Sequence, residues 1–311
     1  MKNNILFKLL LAILCFLLLL TIITGVFYVD ASTKNVKYTA NDLEKIIDSI
    51  LTCKQKDSST ISVQEFIDTI LKKNAGTSPS DWYIIAIHQY KGQYDYNTYI
   101  NALNTYIKNT KITKATDMQR IALTYSAVGG NEEFIQKAID KSIGELGIMS
   151  YIYGLLLLDS KSYTSKENFR EEIIEEILAL RLSDGGWALI GKVSDIDVTA
   201  MALQALAPYY NDSDVSIAVN DALVLLSKRQ LESGDYKNYN NRSCESVSQV
   251  ILALGSLGID FQQDGRFIKN SHTLMDGLLL YKLPDGSFSH TINGVSNDTA
   301  TVQAMHALIA T

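Results

Sequence analysis

Beyond residue 60 the chain alternates between two hydrophobic patterns. One is amphipathic and charged, with apolar residues three and four apart: segments 62–74 ("SVQEFIDTILKKN"), 96–109, 131–143, 166–181, 214–229 and 270–282. The other is apolar or small nearly all round: 80–90 ("SDWYIIAIHQY"), 116–129, 149–158, 194–206, 243–258 and 297–310. A stripe of helical period marks a helix at a surface, and all-round apolarity marks a buried one. Six of each in strict alternation predict an all-α fold, an α6/α6 toroid of six helical hairpins with an inner and an outer ring. An open array of hairpins would need polar outer faces on its terminal repeats. The last segment, "ATVQAMHALIAT", is as apolar as the others, so the ring is expected to close. One more amphipathic stretch, "NDLEKIIDSIL" (41–51), is expected outside the ring or across a gap in it.

The linkers carry a second repeat: "RLSDGGW" (181–187), "QLESGDY" (230–236) and "KLPDGSF" (282–288). Each runs long polar residue, three residues, Gly, one residue, aromatic. Gly185, Gly234 and Gly286 are expected to end the preceding outer helix in the left-handed conformation that glycine tolerates.

The N-terminus is of different material. Lys2 and Lys8 precede an uncharged run from Leu9 to Val29, and "VDA" offers a cleavage site after Ala31. Residues 1–31 are read as a signal peptide or an uncut membrane anchor, residues 32–60 as a linker and accessory helix, and 61–311 as the toroid. The body is then secreted or held at the cell surface. Formal net charge is −6, and no Lys/Arg cluster interleaves with aromatics, so nucleic acid is not an expected partner. Cys53 and Cys244 allow either one disulfide or two buried thiols.

The linker repeat resembles the Gln-x3-Gly-x-Trp motif of the terpenoid cyclase and protein prenyltransferase superfamily, which includes the squalene-hopene cyclases. Arg181 and Lys282 stand for the Gln, and Tyr236 and Phe288 for the Trp. "DIDVTAMALQALAPYY", "ESVSQVILALGSLGID" and "NDTATVQAMHAL" look like toroid modules of bacterial cell-surface proteins, and more distantly like cobalamin carriers. The resemblance covers 177–311 and implies an α/α toroid. It leaves function open, since toroids host both enzymes and carriers.

It also singles out "DIDV" (195–198). Class II cyclases protonate an alkene with the second Asp of Asp-x-Asp-Asp. Asp195 and Asp197 match the first two, and Val198 replaces the third. Such an acid must be held neutral by burial and by carboxylates that cannot all ionise. The residues themselves suggest capping instead. Asp195 stands where an N-cap belongs and Asp197 in the first turn, where a helix terminus favours an anion. Asp81, Asp117, Glu245 and Asp298 open four other inner helices in the same way.

Inner helices that run parallel gather their N-termini at one mouth of the ring. Asp81, Asp117, Asp197, Glu245 and Asp298 are therefore expected to form an acidic rim. Trp82, Tyr83 and Tyr151 are expected to line the funnel beside it. The reading that follows is a non-catalytic module outside the cytoplasm, binding a small hydrophobic or flat ligand, or a surface protein, at that mouth. Two alternatives stand: a class II cyclase-like enzyme using Asp197 aided by Asp195, and a structural spacer. No cofactor is implied, because Cys244 and His290 lack a third partner for catalytic zinc.

Overall fold

The computed structural model describes residues 37–166, 169–238 and 241–311; the expected signal or anchor, 1–31, lies outside them. The first outer element is α2 (Val63–Phe66), which continues as a π-helical turn, Ile67–Leu71, and a 3₁₀ turn, Lys72–Asn74. The other outer helices are α4 (Asn97–Asn109), α6 (Glu132–Ser142), α8 (Arg170–Ala179), α10 (Ser213–Arg229) and the short α12 (Leu274–Leu279). Between them run the inner helices α3 (Ser78–Lys91), α5 (Ala115–Val128), α7 (Gly147–Ser160), α9 (Ile196–Leu206), α11 (Cys244–Ser256) and α13 (Asp298–Ile309). Each inner helix packs on the next, and α13 packs back on α3. The ring is closed, as the apolar last segment required.

The 41–51 stretch belongs to α1 (Ala40–Ser58), which starts from a capping box between Thr39 and Asp42. It packs on α13 and on α2, so it stands in the outer ring and backs the last inner helix. The first and last described helices meet there: buried Lys54 donates to Asp298 at 2.8 Å. The toroid and α1 share one compact unit, Tyr38–Thr311. No helix among the described residues is long and apolar enough to cross a membrane.

The glycine expectation needs correction. α8, α10 and α12 end at Ala179, Arg229 and Leu279, and their C-caps Leu180, Gln230 and Leu280 all have negative φ. The glycines lie further on, in tight turns with one repeated geometry. The amides of Gly185, Gly234 and Gly286 donate to the carbonyls of Leu182, Leu231 and Leu283 at 3.0, 2.9 and 3.0 Å. Their φ values are +99°, +88° and +99°, as a type I turn followed by a left-handed bulge residue demands. Trp187, Tyr236 and Phe288 then bury completely under the ring. Thr199 and Thr301 hold the backbone of Trp187 and Phe288, each accepting the aromatic's N–H at 3.0 Å. A two-stranded ribbon, β1 (Lys237–Asn238) and β2 (Asn241–Arg242), extends the second turn.

Cys53 and Cys244 are both buried free thiols. The Cys244 thiol is pushed well up by burial and by the neighbouring Glu245 carboxylate.

Candidate functional site

The funnel of the ring is lined by inner-helix residues that stay half-buried while their neighbours are sealed. Asp197, Met201 and Gln204 on α9, Gln249 on α11, and Gln303 and His306 on α13 share this pattern. Gln204 Nε2 donates to Gln249 Oε1 at 2.8 Å, and Gln249 Nε2 to Gln303 Oε1 at 3.1 Å. The three amides make a polar ladder across adjacent helices. At the α13 end of the ladder His306, three residues beyond Gln303, meets Trp82 edge-on at 5.9 Å, and Trp82 packs against Tyr153 at 6.0 Å. Burial lowers the His306 pKa to about 4, so its imidazole is neutral at physiological pH.

At the N-terminal mouth the two carboxylates of "DIDV" divide the roles. Asp195 is the N-cap: its carboxylate accepts from the amides of Asp197 at 2.8 Å and Val198 at 3.1 Å. Replacing Asp195 with Ala is expected to cost about 0.5–2 kcal/mol in chemical denaturation; an unchanged midpoint would deny it a capping role. Asp197 caps nothing. Its Oδ1 is buried without a hydrogen-bond partner. Burial first, then the Asp195 and Glu245 carboxylates, push the Asp197 carboxyl up to about 6, while Ser246 and Asn238 draw it partly back. The first-turn position suggested a favoured anion. Desolvation exceeds that influence here, because dipole effects at a helix end are worth only about 0.3–1 kcal/mol at exposed sites.

The expected rim is only partly assembled. Glu245 faces the mouth beside Asp197 and pairs with His290 Nδ1 at 2.8 Å. Asp81 does not stand on a rim: it is fully buried and holds Arg120 Nε at 2.8 Å. Asp117 serves the same arginine, at 2.6 Å from Nη1. Asp298 is turned to Lys54 at the α1–α13 seam. The aromatics divide too. Trp82 faces the funnel, but Tyr83 is turned to the outer ring, edge-on to Phe66 at 6.2 Å. Tyr151 leans on the turn at Gly144 and feels Glu176 of α8, which places it on the outer side; Tyr153 takes the funnel position instead. Consecutive helical residues differ by about 100° in direction, so neighbours in sequence part company. His306 and the three glutamines are site residues that hydrophobic pattern alone passes over. The available signal was a polar residue inside each apolar run, in "ALQAL", "VSQVI" and "TVQAM".

No protein-family profile and no curated protein matches the chain. Solved structures do. One is a possible member of the GH105 family from Salmonella enterica serovar Paratyphi A, with TM-score 0.56 and 11% identity over 88% of this chain and 94% of that one. Another is a type II terpene cyclase from Scytonema without ligand, with TM-score 0.51 and 14% identity over 87% of this chain and 98% of that one. At these identities the likeness is one of fold, and it defines the chain as an α/α toroid of the architecture that terpene cyclases share. The links to cell-surface modules and cobalamin carriers have no counterpart among these matches.

Proposed function

We propose that the chain is a non-catalytic ligand-binding toroid, exported by its N-terminal segment, that holds a small molecule in the funnel. The observation that carries this is the buried, unpartnered Oδ1 of Asp197. A buried acceptor left without a donor costs about 1–3 kcal/mol, and a ligand donor removes that cost. The Gln ladder offers further polar contacts, and Trp82, Tyr153 and Met201 offer apolar walls. The fitting ligand has a flat or apolar body and a hydrogen-bond-donating end beside Asp197 and Glu245. Native mass spectrometry of the protein purified from its own host should show a retained small molecule. Asp197→Asn should lose it, and Asp117→Asn should keep it. A ligand-free parent would count against the reading, as would retention in Asp197→Asn.

The likeness to a type II terpene cyclase supports a second reading, acid catalysis by Asp197, and its raised pKa favours it. Against it, a carboxyl with pKa about 6 is about nine-tenths ionised at pH 7. Val198, in place of a third Asp, is buried apolar. Conversion of a polyprene to cyclic products near pH 5, lost in Asp197→Asn, would establish the enzyme.

The raised pKa also fixes a pH dependence. The folded state holds the Asp197 proton more tightly than the unfolded chain, whose carboxyl titrates near 4. Its favourable contribution is therefore complete below about pH 4 and lost as pH rises through about 6. Asp197→Asn is expected to be more stable than the parent at pH 7, by an amount on the order of 1–2 kcal/mol. The gap should close by pH 4. Thermal unfolding at both pH values checks it; a less stable Asn variant at pH 7 would show that the carboxylate is satisfied.

A further inference from the structure

A second concavity lies at the seam where α1 closes on α13. A cleft of about 470 Å³ opens between α1, the first outer element and the N-terminal ends of α3 and α13. That size lies within the range of small-molecule sites, ~300–1,000 Å³. Its apolar surface is Phe66, Ile70, Leu71, Pro79 and the ring of Tyr83; Lys54, Asp57 and Asp298 stand among its polar residues. Ile70 and Leu71 belong to the π-helical turn Ile67–Leu71, a local distortion that recurs at functional sites.

Two polar groups there keep hydrogen-bonding capacity unused. Tyr83 is only 2% exposed, and its hydroxyl has no hydrogen-bond partner. The neighbouring Thr301 hydroxyl spends its one proton on the carbonyl of Asn297 at 2.7 Å and accepts the Phe288 amide at 3.0 Å. Burial holds the Tyr83 phenol well above its ordinary pKa, so it remains an O–H donor. Lys54 Nζ donates to Asp298 at 2.8 Å and Asp57 at 3.3 Å, and an ammonium carries a third proton. The charges select against ions. Two carboxylates outweigh one ammonium and repel an anion, while a cation must compete with Lys54, already seated between them.

We propose that this seam cleft is a second ligand site, for an uncharged amphipathic small molecule whose aliphatic body lies on Phe66, Ile70 and Leu71 and whose alcohol, ether or carbonyl oxygen accepts from the Tyr83 hydroxyl. The site is independent of the funnel. An occupant touches α1, α2, α3 and α13 together, and so tightens the closure of the ring.

The test is isothermal titration of the full chain with 1-octanol, octanoate and octylammonium. 1-Octanol should bind saturably at a site that Ile70→Trp removes, and both ions should bind that site at least about tenfold more weakly. Tyr83→Phe should weaken 1-octanol about five- to tenfold, the loss of one hydrogen bond of ~1 kcal/mol. Ile70→Trp, which fills the cleft, should abolish binding, and Asp197→Asn in the funnel should leave it unchanged. Without ligand, Tyr83→Phe should melt at or above the parent temperature, since it removes an orphan hydroxyl. Should Ile70→Trp not fold, the conservative Tyr83→Phe decides alone. The proposal is overturned by absence of saturable 1-octanol binding sensitive to Ile70→Trp, by an ion binding as tightly at that site, by Tyr83→Phe binding like the parent, or by loss in Asp197→Asn.

Discussion

Replacing Asp81 with Ala is expected to destabilise the protein by about 3–5 kcal/mol, the usual consequence of leaving a buried charge uncompensated. The Asp81 side chain is fully buried, and Arg120 is 9% exposed. Asp81 Oδ2 accepts from Arg120 Nε at 2.8 Å, and Oδ1 accepts from the Gly76 amide at 2.9 Å and from the Tyr99 hydroxyl. Arg120 Nη2 donates to the Gly76 carbonyl at 2.7 Å. The pair thus ties α3, α4 and α5 to the turn that enters the ring. Ala at 81 strands the guanidinium, with only the half-exposed Asp117 to answer it. The double variant Asp81→Leu/Arg120→Met should recover most of the loss, because removing both partners removes the desolvation penalty with the attraction. Urea unfolding of the three proteins checks the cycle. A single variant within 1 kcal/mol of the parent would mean that water reaches Arg120.

This pair also shows where sequence reading stops. The acid at the start of α3 was legible, but its partner lies on another helix. Whether a first-turn acid serves a rim or a core is decided by what faces it: Arg120 for Asp81, Lys54 for Asp298, His290 for Glu245. The ring itself was legible, because burial on all sides leaves an all-round apolar helix. That same apolarity hides rotation. With no polar face to set the phase, nothing in "SDWYIIAIHQY" says that Trp82 turns inward and Tyr83 outward. α1 was recognisable as amphipathic, but its apolar stripe does not name α13, at the other end of the chain, as the surface it covers.

The linker glycines give the other large expected effect, and its cause differs from a helix cap. A Cβ on Gly185 would meet nothing nearer than 3.5 Å, so Gly185→Val carries mainly the cost of positive φ, about 1–2 kcal/mol. On Gly286 it would lie 2.5 Å from the Ser49 carbonyl oxygen of α1, and on Gly234 2.1 Å from the Thr273 carbonyl oxygen at the start of α12. Gly234→Val is therefore expected to be the most damaging, at about 3 kcal/mol or more, since overpacking adds ~1–3 kcal/mol to the strain. The contact is reciprocal: a Cβ on Gly277, inside α12, would lie 2.4 Å from the carbonyl carbon of Gly234. In an exposed helix Gly→Ala stabilises by roughly 1 kcal/mol. Gly277→Ala should instead destabilise by more than that, because the second turn rests directly on the helix backbone. Denaturation of Gly185→Val, Gly234→Val and Gly277→Ala tests both the order and the reversed sign. A stabilising Gly277→Ala would show that the turn and α12 do not touch as closely as their backbones are placed.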